Sequence, residues 1–202
     1  WFSDPFWRAT AVVAEQLHAA GWIEALHTLS MTHQIDLSGA PSLLISHGSP
    51  RHYREGFAMY TSTQILAEIV DAYDADIFIG SHTHRPYDCE FQGKRFLNTG
   101  AVGAPFNRDS RAQYLLLAYH KKKWQPEFRA ISYDREAAIL AFENTKYLEQ
   151  GNLSAHIFRE ELIHSRPLFD PFWRWTHECH KPRNWDSWNE FRTFNPAYLP
   201  PA

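Results

Sequence analysis

Three histidines occupy short turns that directly follow apolar segments of the chain. His47 stands before Gly48 after the segment SLLIS, and His82 and His84 flank Thr83 in IGSHTHRPY. Neutral imidazole is the commonest metal-binding side chain in proteins. On a curved loop an H-x-H pair directs its imidazoles at different points, whereas on a regular strand the pair shares one face and can chelate a single ion. The spacing therefore indicates metal binding, with both arrangements open.

A loop rich in small residues follows further along the chain. Asn98–Gly103 reads NTGAVG, and its glycines let the backbone come close to a ligand. Each of these signals is weak alone, because His-Gly dipeptides are common in turns and the chain has 12 histidines. Catalytic sites are commonly assembled from separate loops held by a rigid scaffold, so the ordered series of three turns strengthens the prediction.

The elements that must position these turns are short strands. Alternating apolar and polar residues over 29–37, then a turn and SLLIS at 42–46, predict a hairpin that delivers His47 to a strand end. The segment ADIFIG at 75–80 predicts a buried strand that ends at the H-T-H motif. Two strands around Gly93 and a hairpin over 112–119 and 124–133 complete the predicted β-structure.

Helices are predicted on both sides of this region and once inside it. The first runs from Ser3 to about Leu29, with Ser3 or Asp4 as its cap and a break at Gly21. The others are predicted over 61–73, over 134–150 behind a capping Asp134, and over 153–164.

The tail from Pro167 onward has a different composition and a poor apolar period. It contains four of the eight tryptophans, which either form a partner-binding surface or pack onto the domain itself. The pentapeptide DPFWR occurs at Asp4–Arg8 and again at Asp170–Arg174, which is too short for a structural repeat. The two copies are interpreted either as two helix starts that dock aromatic residues or as a coincidence.

Composition excludes several classes of protein. The 202 residues carry a net charge of −3, so no broad basic surface implies nucleic-acid binding. The two cysteines, Cys89 and Cys179, are far apart, which indicates neither a disulfide framework nor a thiolate zinc site and favours a reducing cytoplasm. No apolar stretch is long enough to span a bilayer, so no membrane partner is predicted.

The ordered set SLLISHGSP, ADIFIGSHTHRPY and RFLNTGAVGAPFNRDSRAQYLLL resembles the calcineurin-like metallophosphoesterases, in their small prokaryotic phosphodiesterase-like branch. The resemblance covers about residues 22–165. It implies an α/β fold, a four-layer α/β/β/α sandwich, to which residues 1–165 contribute roughly the C-terminal half, with 166–202 as an extension packing on the domain. It also implies two divalent metal ions (Mn, Fe, Ni or Zn) and hydrolysis of a phosphodiester or phosphomonoester by metal-activated water at a dinuclear site.

Carried over residue by residue, the resemblance makes His47 and His82 ligands of one metal and His84 a ligand of the other. No side-chain nucleophile is implied. The family's Asp-x-His, Gly-Asp and Gly-Asn-His motifs lie upstream of its His-Gly motif, and none of them is in this chain. Ser81 stands where the family has glycine, and NTGAVG replaces Asn-Pro-Gly-Ser-Val-Gly.

Three further residues are candidates for substrate binding. Arg85 follows the H-T-H motif, and its planar guanidinium suits either phosphate oxygens or an ion pair that supports the loop. Asn107 and Arg108 follow the glycine-rich loop, where substrate selection and simple solvation of the loop are even alternatives.

Two functional hypotheses follow. The first is a metal-dependent phosphoesterase that is complete only with the upstream motifs, and the second is a non-catalytic regulatory or scaffold protein on the same fold. A half sandwich is expected to leave one sheet face without its covering layer, which predicts either a homo-oligomer or association with the missing N-terminal half.

Overall fold

The computed structural model describes residues 4–195 of the chain. Its strands are β1 (Thr32–Ile35), β2 (Leu43–Ser46), β3 (Ile77–Gly80), β4 (Pro86–Phe91), β5 (Lys94–Thr99), β6 (Ala112–His120) and β7 (Lys123–Ile131). Its α-helices are α1 (Arg8–Ala19), α2 (Trp22–His27), α3 (Thr63–Ala72), α4 (Arg135–Asn144), α5 (Tyr147–His164), α6 (Phe169–Glu178) and α7 (Trp185–Phe194), and a 3-10 turn covers Pro5–Trp7.

The chain divides into two compact units. One is the continuous segment Leu29–Tyr133, which contains all seven strands and α3. The other combines the segment up to Thr28 with the segment from Asp134 onward, and it contains the remaining helices. The division predicted between residues 165 and 166 stays a prediction, and the predicted extension includes residues 196–202, outside the described part.

The first unit is built on a five-stranded sheet in the order β1-β2-β3-β5-β4. β2, β3 and β5 are parallel, whereas β1 and β4 are antiparallel to their neighbours. The predicted hairpin of β1 and β2 is confirmed, with Thr32 opposite Ser46 and Ile35 opposite Leu43. Because the three central strands are parallel, their carboxyl ends meet at one edge of the sheet.

Both faces of this sheet are covered within the same unit. On one face Leu44, Phe78 and Phe96 pack with Leu66 and Ile69 of α3. On the other face a cluster of β2, β3 and β5 side chains is covered by the β6–β7 hairpin through Leu115, Leu117 and Trp124. A parallel strand covered on both faces reads as a continuous apolar run, which explains the fully buried IFIG of β3.

The layers therefore run helix, sheet, sheet, and the mixed α/β prediction is confirmed. The expectation that one sheet face lacks a covering layer does not hold for the five-stranded sheet. The reason is the β6–β7 hairpin, which places Leu115 and Leu117 over the face that a half sandwich was expected to leave open. A dimer is therefore not needed to cover this sheet.

Between β2 and β3, α3 forms where the sequence predicts a helix. The Ser62 hydroxyl accepts a hydrogen bond from the Ile65 amide (3.3 Å), so serine caps the helix start. Leu66 and Ile69 stand three residues apart and are buried against the sheet. The helix thus returns the chain to β3 in parallel with β2.

The second unit is helical. Asp4 caps the 3-10 turn that precedes α1, because its carboxylate accepts from the Phe6 amide (2.9 Å), while the alternative cap Ser3 lies outside the described residues. Gly21 breaks the helix with a φ of 76°, as predicted. Asp134 caps α4, but that helix ends at Asn144 rather than near residue 150.

The tail contains two helices that its sequence period did not predict. α6 and α7 bury Phe172, Trp188 and Phe191 in one aromatic cluster. The apolar period is obscured because Trp173 and Trp185 are also aromatic but stand partly exposed, at 37% and 42% of their surface. The apolar faces of α6 and α7 are therefore defined by which aromatic rings are buried. A pattern of residue types does not distinguish buried from exposed rings.

The two copies of the repeated pentapeptide contact each other in this cluster. Phe6 of the first copy and Phe172 of the second are both buried, and their ring centres lie 5.7 Å apart in an edge-on arrangement. Each copy stands in the first turn of a helical segment. Such aromatic pairs contribute about 0.5–1.5 kcal/mol beyond their buried area.

Candidate metal centre

The candidate site lies where the three parallel strands end. β2 runs directly into His47, β3 into His82 and His84, and β5 into the glycine-rich loop. Two backbone hydrogen bonds join the first two turns, because the amides of Ser81 and His82 both donate to the carbonyl of His47 (2.8 and 2.9 Å). The three turns predicted at strand ends thus lie at one edge of the sheet.

His47 and His82 face each other through ring nitrogens. Nε2 of His47 lies 3.2 Å from Nδ1 of His82, and the two rings are inclined at 67°. Two imidazole nitrogens on one ion, each about 2.1 Å from it, are separated by about 3.0–3.4 Å at right-angle to tetrahedral geometry. The observed separation fits a pair of ligands on one ion.

His84 is held in a different direction. Its Nδ1 lies 2.8 Å from the carbonyl oxygen of Ala104, and its ring stacks on Phe106 with centres 4.7 Å apart. A carbonyl oxygen only accepts, so Nδ1 must carry the proton, and the lone pair is left on Nε2. Metal-binding histidines are oriented by this kind of contact. The H-T-H motif forms a turn, with φ 56° at His84, and its two imidazoles contact different partners.

Burial favours the neutral form of both histidines of the motif. It lowers the pKa of His82, and positive charge on His47, His84, Arg54 and His52 lowers that pKa further. Burial also lowers the pKa of His84, against the opposing effect of the Ala104 carbonyl. A neutral imidazole is the form that binds a metal ion.

Thr83, between the two histidines, fixes the turn through hydrogen bonds of its side chain. Its hydroxyl donates to the Phe57 carbonyl (3.1 Å) and accepts from the side-chain amide of Asn98 (3.0 Å). The carbonyl oxygen of Asn98 accepts from the amide of Gly100 (3.0 Å). Because Thr83 and Asn98 are buried, this network fixes the H-T-H turn against the start of the glycine-rich loop.

Glycine is required at the centre of the site. A Cβ atom on Gly48 would lie 2.5–2.7 Å from the carbonyl oxygens of His52, Tyr53 and Glu55. The turn after His47 is therefore closed by the backbone of the following loop. Ser81 stands in the position where the family that the chain resembles has glycine. Its hydroxyl donates a hydrogen bond to the Gly100 carbonyl (3.3 Å).

The candidate substrate residues have distinct environments. Arg85 donates from Nε to the carbonyl of Phe106 (2.9 Å), which supports the loop that carries the ring under His84. Asn107 accepts from the side-chain amide of Gln113 (2.9 Å). Arg108 is exposed with a φ of 66°, and within residues 4–195 it forms no ion pair.

In the part of the chain that the structure describes, no carboxylate joins the histidines in a metal-holding group. Over the described range 4–195 there is no group of three or more histidine, cysteine, aspartate or glutamate side chains placed to hold a metal ion. Within residues 4–195 the structure thus brings His47 and His82 together as a pair and leaves His84 outside that pair.

The sequence analysis did not identify the groups that orient the histidines of this candidate site. The sequence does not indicate the role of the Ala104 carbonyl, because every residue has a carbonyl group. It does not indicate the role of the Phe106 ring either, because apolar rings are common in loops. Thr83 and Asn98 carried a signal that could have been used, since polar residues that end buried strands require partners.

Solved structures share this fold. A hypothetical protein from Pyrococcus horikoshii is 19% identical, with a TM-score of 0.59 over 76% of this chain and 57% of that one. A metallophosphoesterase from Sphaerobacter thermophilus is 22% identical, with a TM-score of 0.53 over 72% of this chain and 62% of that one. The chain therefore spans about three fifths of the length of these two proteins. At such identities the likeness concerns the fold.

No family model and no curated protein matches the chain. Among the helices of residues 4–195, none has the length and apolar character needed to cross a membrane.

Proposed function

We propose that this chain forms part of the active site of a calcineurin-like, metal-dependent phosphoesterase that hydrolyses a phosphodiester or phosphomonoester. The observation that carries the proposal is the 3.2 Å approach of His47 Nε2 to His82 Nδ1 at the carboxyl edge of a parallel sheet. The fold shared with a metallophosphoesterase supports it.

The histidines have separate tasks in this proposal. His47 and His82 hold one divalent ion, and His84 holds the second through Nε2, with its ring fixed by the Ala104 carbonyl. When bound, two such ions would supply Lewis-acid polarisation of a phosphoryl group and activation of water. Mn, Fe, Ni and Zn are the metals that the resemblance implies, and imidazole is a favourable ligand for Fe, Ni and Zn among them.

The complete site needs carboxylates from outside this chain. Three neutral imidazoles contribute no negative charge, whereas two dications held close together require it. The Asp-x-His, Gly-Asp and Gly-Asn-His motifs of the family would supply that charge, and the chain spans only about three fifths of its structural neighbours. We therefore propose that the chain contributes roughly the C-terminal half of a four-layer sandwich and associates with an N-terminal half.

Substrate contacts are proposed for the loops beside His84. Arg85 uses Nε on the Phe106 carbonyl, and its terminal nitrogens remain for phosphate oxygens. Arg108 is exposed in the loop that follows Phe106, and Asn107 stands next to it. Both thiols are free, which fits a reducing cytoplasm for the protein.

A scaffold function on the same fold is the second candidate. It is favoured by the lack, within residues 4–195, of a third metal ligand beside the His47–His82 pair. The coding sequence immediately before Trp1 separates the two candidates: the upstream motifs there favour the enzyme, and their absence favours the scaffold.

Replacing His84 tests the enzyme. In the complete protein loaded with Mn²⁺, His84→Ala is expected to lower turnover of a chromogenic phosphodiester at least about 100-fold, because a ligand is lost. Metal content, measured by elemental analysis, should fall by one ion per chain. His33→Ala, an exposed histidine of β1, is the matched control and should change neither quantity.

Unchanged turnover in His84→Ala would overturn the ligand assignment. A wild-type protein that keeps the upstream motifs, binds two ions and hydrolyses neither a chromogenic phosphodiester nor a phosphomonoester would establish the scaffold instead.

A further inference from the structure

The β6–β7 hairpin pairs with no third strand in the part of the chain that the structure describes. The two residues of its turn, between His120 and Lys123, both have a positive φ (48° and 64°). The pair that closes such a two-residue turn is hydrogen-bonded, and bonded pairs alternate with non-bonded pairs along antiparallel strands. Leu115 and Leu117 therefore lie at non-bonded positions, and their backbone N–H and C=O groups point away from β7.

Two neighbouring residues agree with this direction. Gln113, two positions before Leu115, donates its backbone amide outward to the carbonyl of Ala101 (3.0 Å). Pro126, opposite Leu117, has no N–H and fits a position where β7 makes no bond to β6. Within residues 4–195, the backbone groups of Leu115 and Leu117 form no hydrogen bond on this outer side.

The open edges of the two sheets differ in chemistry. β7 has Pro126 at its edge, β4 carries the charged Asp88 and Glu90, and β1 is only four residues long. Proline, charge and short length are the means by which proteins prevent an edge strand from pairing. Residues 114–119 of β6 read YLLLAY, with neither charge nor proline. The edge of β6 is therefore the one among these four that lacks such protection.

The hairpin is held at both ends. The hydroxyl of Tyr119 donates to the Gly39 carbonyl (2.6 Å), and Nε1 of Trp124 donates to the Pro41 carbonyl (2.8 Å). At the other end, Gln113 bonds to the glycine-rich loop. An edge that is already fixed loses little conformational freedom when a further strand pairs with it.

We propose that the outer edge of β6 pairs with an extended segment of the N-terminal half, which becomes a third strand of this sheet. This inference rests on the proposed function, which requires that half. About two fifths of the length of each of the two structural neighbours has no counterpart in this chain, so those proteins contain further chain beyond the matched part. The occupant is therefore another part of the same protein.

The edge also defines the chemistry of the incoming segment. Leu115 and Leu117 pack on the five-stranded sheet but are only half-buried. Side chains on one face of adjacent strands pack against each other, and successive side chains of a strand alternate between faces. The segment consequently carries apolar residues at every second position and has no proline where its N–H faces β6.

Residue-resolved amide hydrogen exchange tests the pairing by comparing the complete protein with the 202-residue chain. The amides of Leu115 and Leu117 are expected to exchange at least about 100-fold more slowly in the complete protein, because they gain hydrogen bonds there. The Leu116 amide points to β7, so it should be protected in both proteins and reports an intact hairpin. The Phe128 amide, on the outer edge of β7, is the control and should stay unprotected in both.

A pair of variants of the complete protein separates the two edges. Leu115 and Phe128 are register partners on opposite edges of the hairpin. Leu115→Pro removes an N–H from the proposed contact and should speed exchange of the Leu117 amide at least about 10-fold. Phe128→Pro, the matched variant, should leave that amide as in the wild type.

Three results would overturn the inference. The first is equally fast exchange of Leu115 and Leu117 in both proteins, and the second is equal gains in protection at Leu115 and Phe128. The third is protection that rises with the concentration of the 202-residue chain, which would assign the edge to a second copy.

These outcomes differ from a failure of the proposed function, because hydrogen exchange requires neither metal nor activity. A protected β6 edge in a complete protein that hydrolyses neither a phosphodiester nor a phosphomonoester would support the strand pairing while the enzymatic proposal fails. An unprotected edge would overturn the pairing and leave the His84 result standing.

Discussion

One carbonyl oxygen decides which nitrogen of His84 is available to a ligand. Because Ala104 accepts from Nδ1, the lone pair stands on Nε2. His82 is in the opposite situation, since its Nδ1 faces His47. Two imidazoles separated by a single threonine thus present different nitrogens in different directions, and the buried Thr83 hydroxyl holds the turn that separates them.

Gly48 is a residue whose replacement tests the packing of the site. Gly48→Ala is expected to lower the free energy of unfolding by about 3 kcal/mol, because the added Cβ meets three carbonyl oxygens at 2.5–2.7 Å and the enclosing backbone must shift. Gly103→Ala is the matched control, since nothing lies within 4 Å of a Cβ there, and it should change stability by less than about 0.5 kcal/mol. Urea unfolding measures both, and equal stabilities would contradict the closed turn.

At the scale of elements, strand direction brings the turns of the site together, and capping side chains stabilise the starts of helices. β2, β3 and β5 are parallel, so turns distant in sequence meet at one edge. In the helical unit a carboxylate takes the role of a cap: Oε1 of Glu161 on α5 accepts from the amides of Leu168 (2.6 Å) and Phe169 (2.8 Å) at the start of α6. The link between these helices therefore depends on a buried ionisable group.

Glu161 predicts a specific pH dependence. Burial raises its pKa to about 7, despite the two amide donors. The folded state then binds this proton more tightly than the unfolded state, so stability falls as pH rises between the ordinary glutamate value and about 7, by up to about 1.4 kcal/mol per pH unit. Above that range the contribution is constant.

Glu161→Gln removes this dependence, because the amide oxygen still accepts both bonds and does not titrate. The difference in unfolding free energy between wild type and variant, measured by urea titration from pH 4.5 to 8, should change across that window. Glu178→Gln, an exposed glutamate at the end of α6, serves as control and should track the wild type. A wild type and a Glu161→Gln variant with parallel pH profiles would refute the raised pKa.

The whole molecule consists of two units, and each has its own hydrophobic core. In Leu29–Tyr133 the sheet is covered by α3 on one face and by the β6–β7 hairpin on the other. In the helical unit an aromatic cluster around Phe172 and Trp188 joins the two ends of the chain. All the candidate ligand and substrate residues belong to the first unit.

A fragment of residues 29–133 is therefore expected to fold by itself. It should unfold cooperatively in urea, followed by far-UV circular dichroism and by the fluorescence of Trp124, its single tryptophan, which packs on the sheet. Phe96→Ala in the same fragment removes a fully buried ring and should cost about 3–5 kcal/mol, enough to abolish the transition. A wild-type fragment without a cooperative transition would show that its core is insufficient.

The sequence by itself determined the elements around the site and the residue types at their ends. The alternation before His47, the apolar run before His82 and the glycines after Asn98 are local patterns set by burial, so they could be read without a structure. The tail helices could not, because exposed and buried tryptophans look alike in a sequence.

Only the tertiary structure decided how the side chains are used. Three contacts join residues that no local pattern relates. They are the hydrogen bond from His84 to Ala104, the packing of residues 52–55 against Gly48, and the packing of the β6–β7 hairpin on the sheet. Arg51 and Arg54 differ by three positions, yet Arg51 is bound to two glutamates whereas Arg54 forms no ion pair within residues 4–195. Such differences arise from packing between distant segments, which sets direction and charge environment, whereas the order of residues specifies only which groups are present.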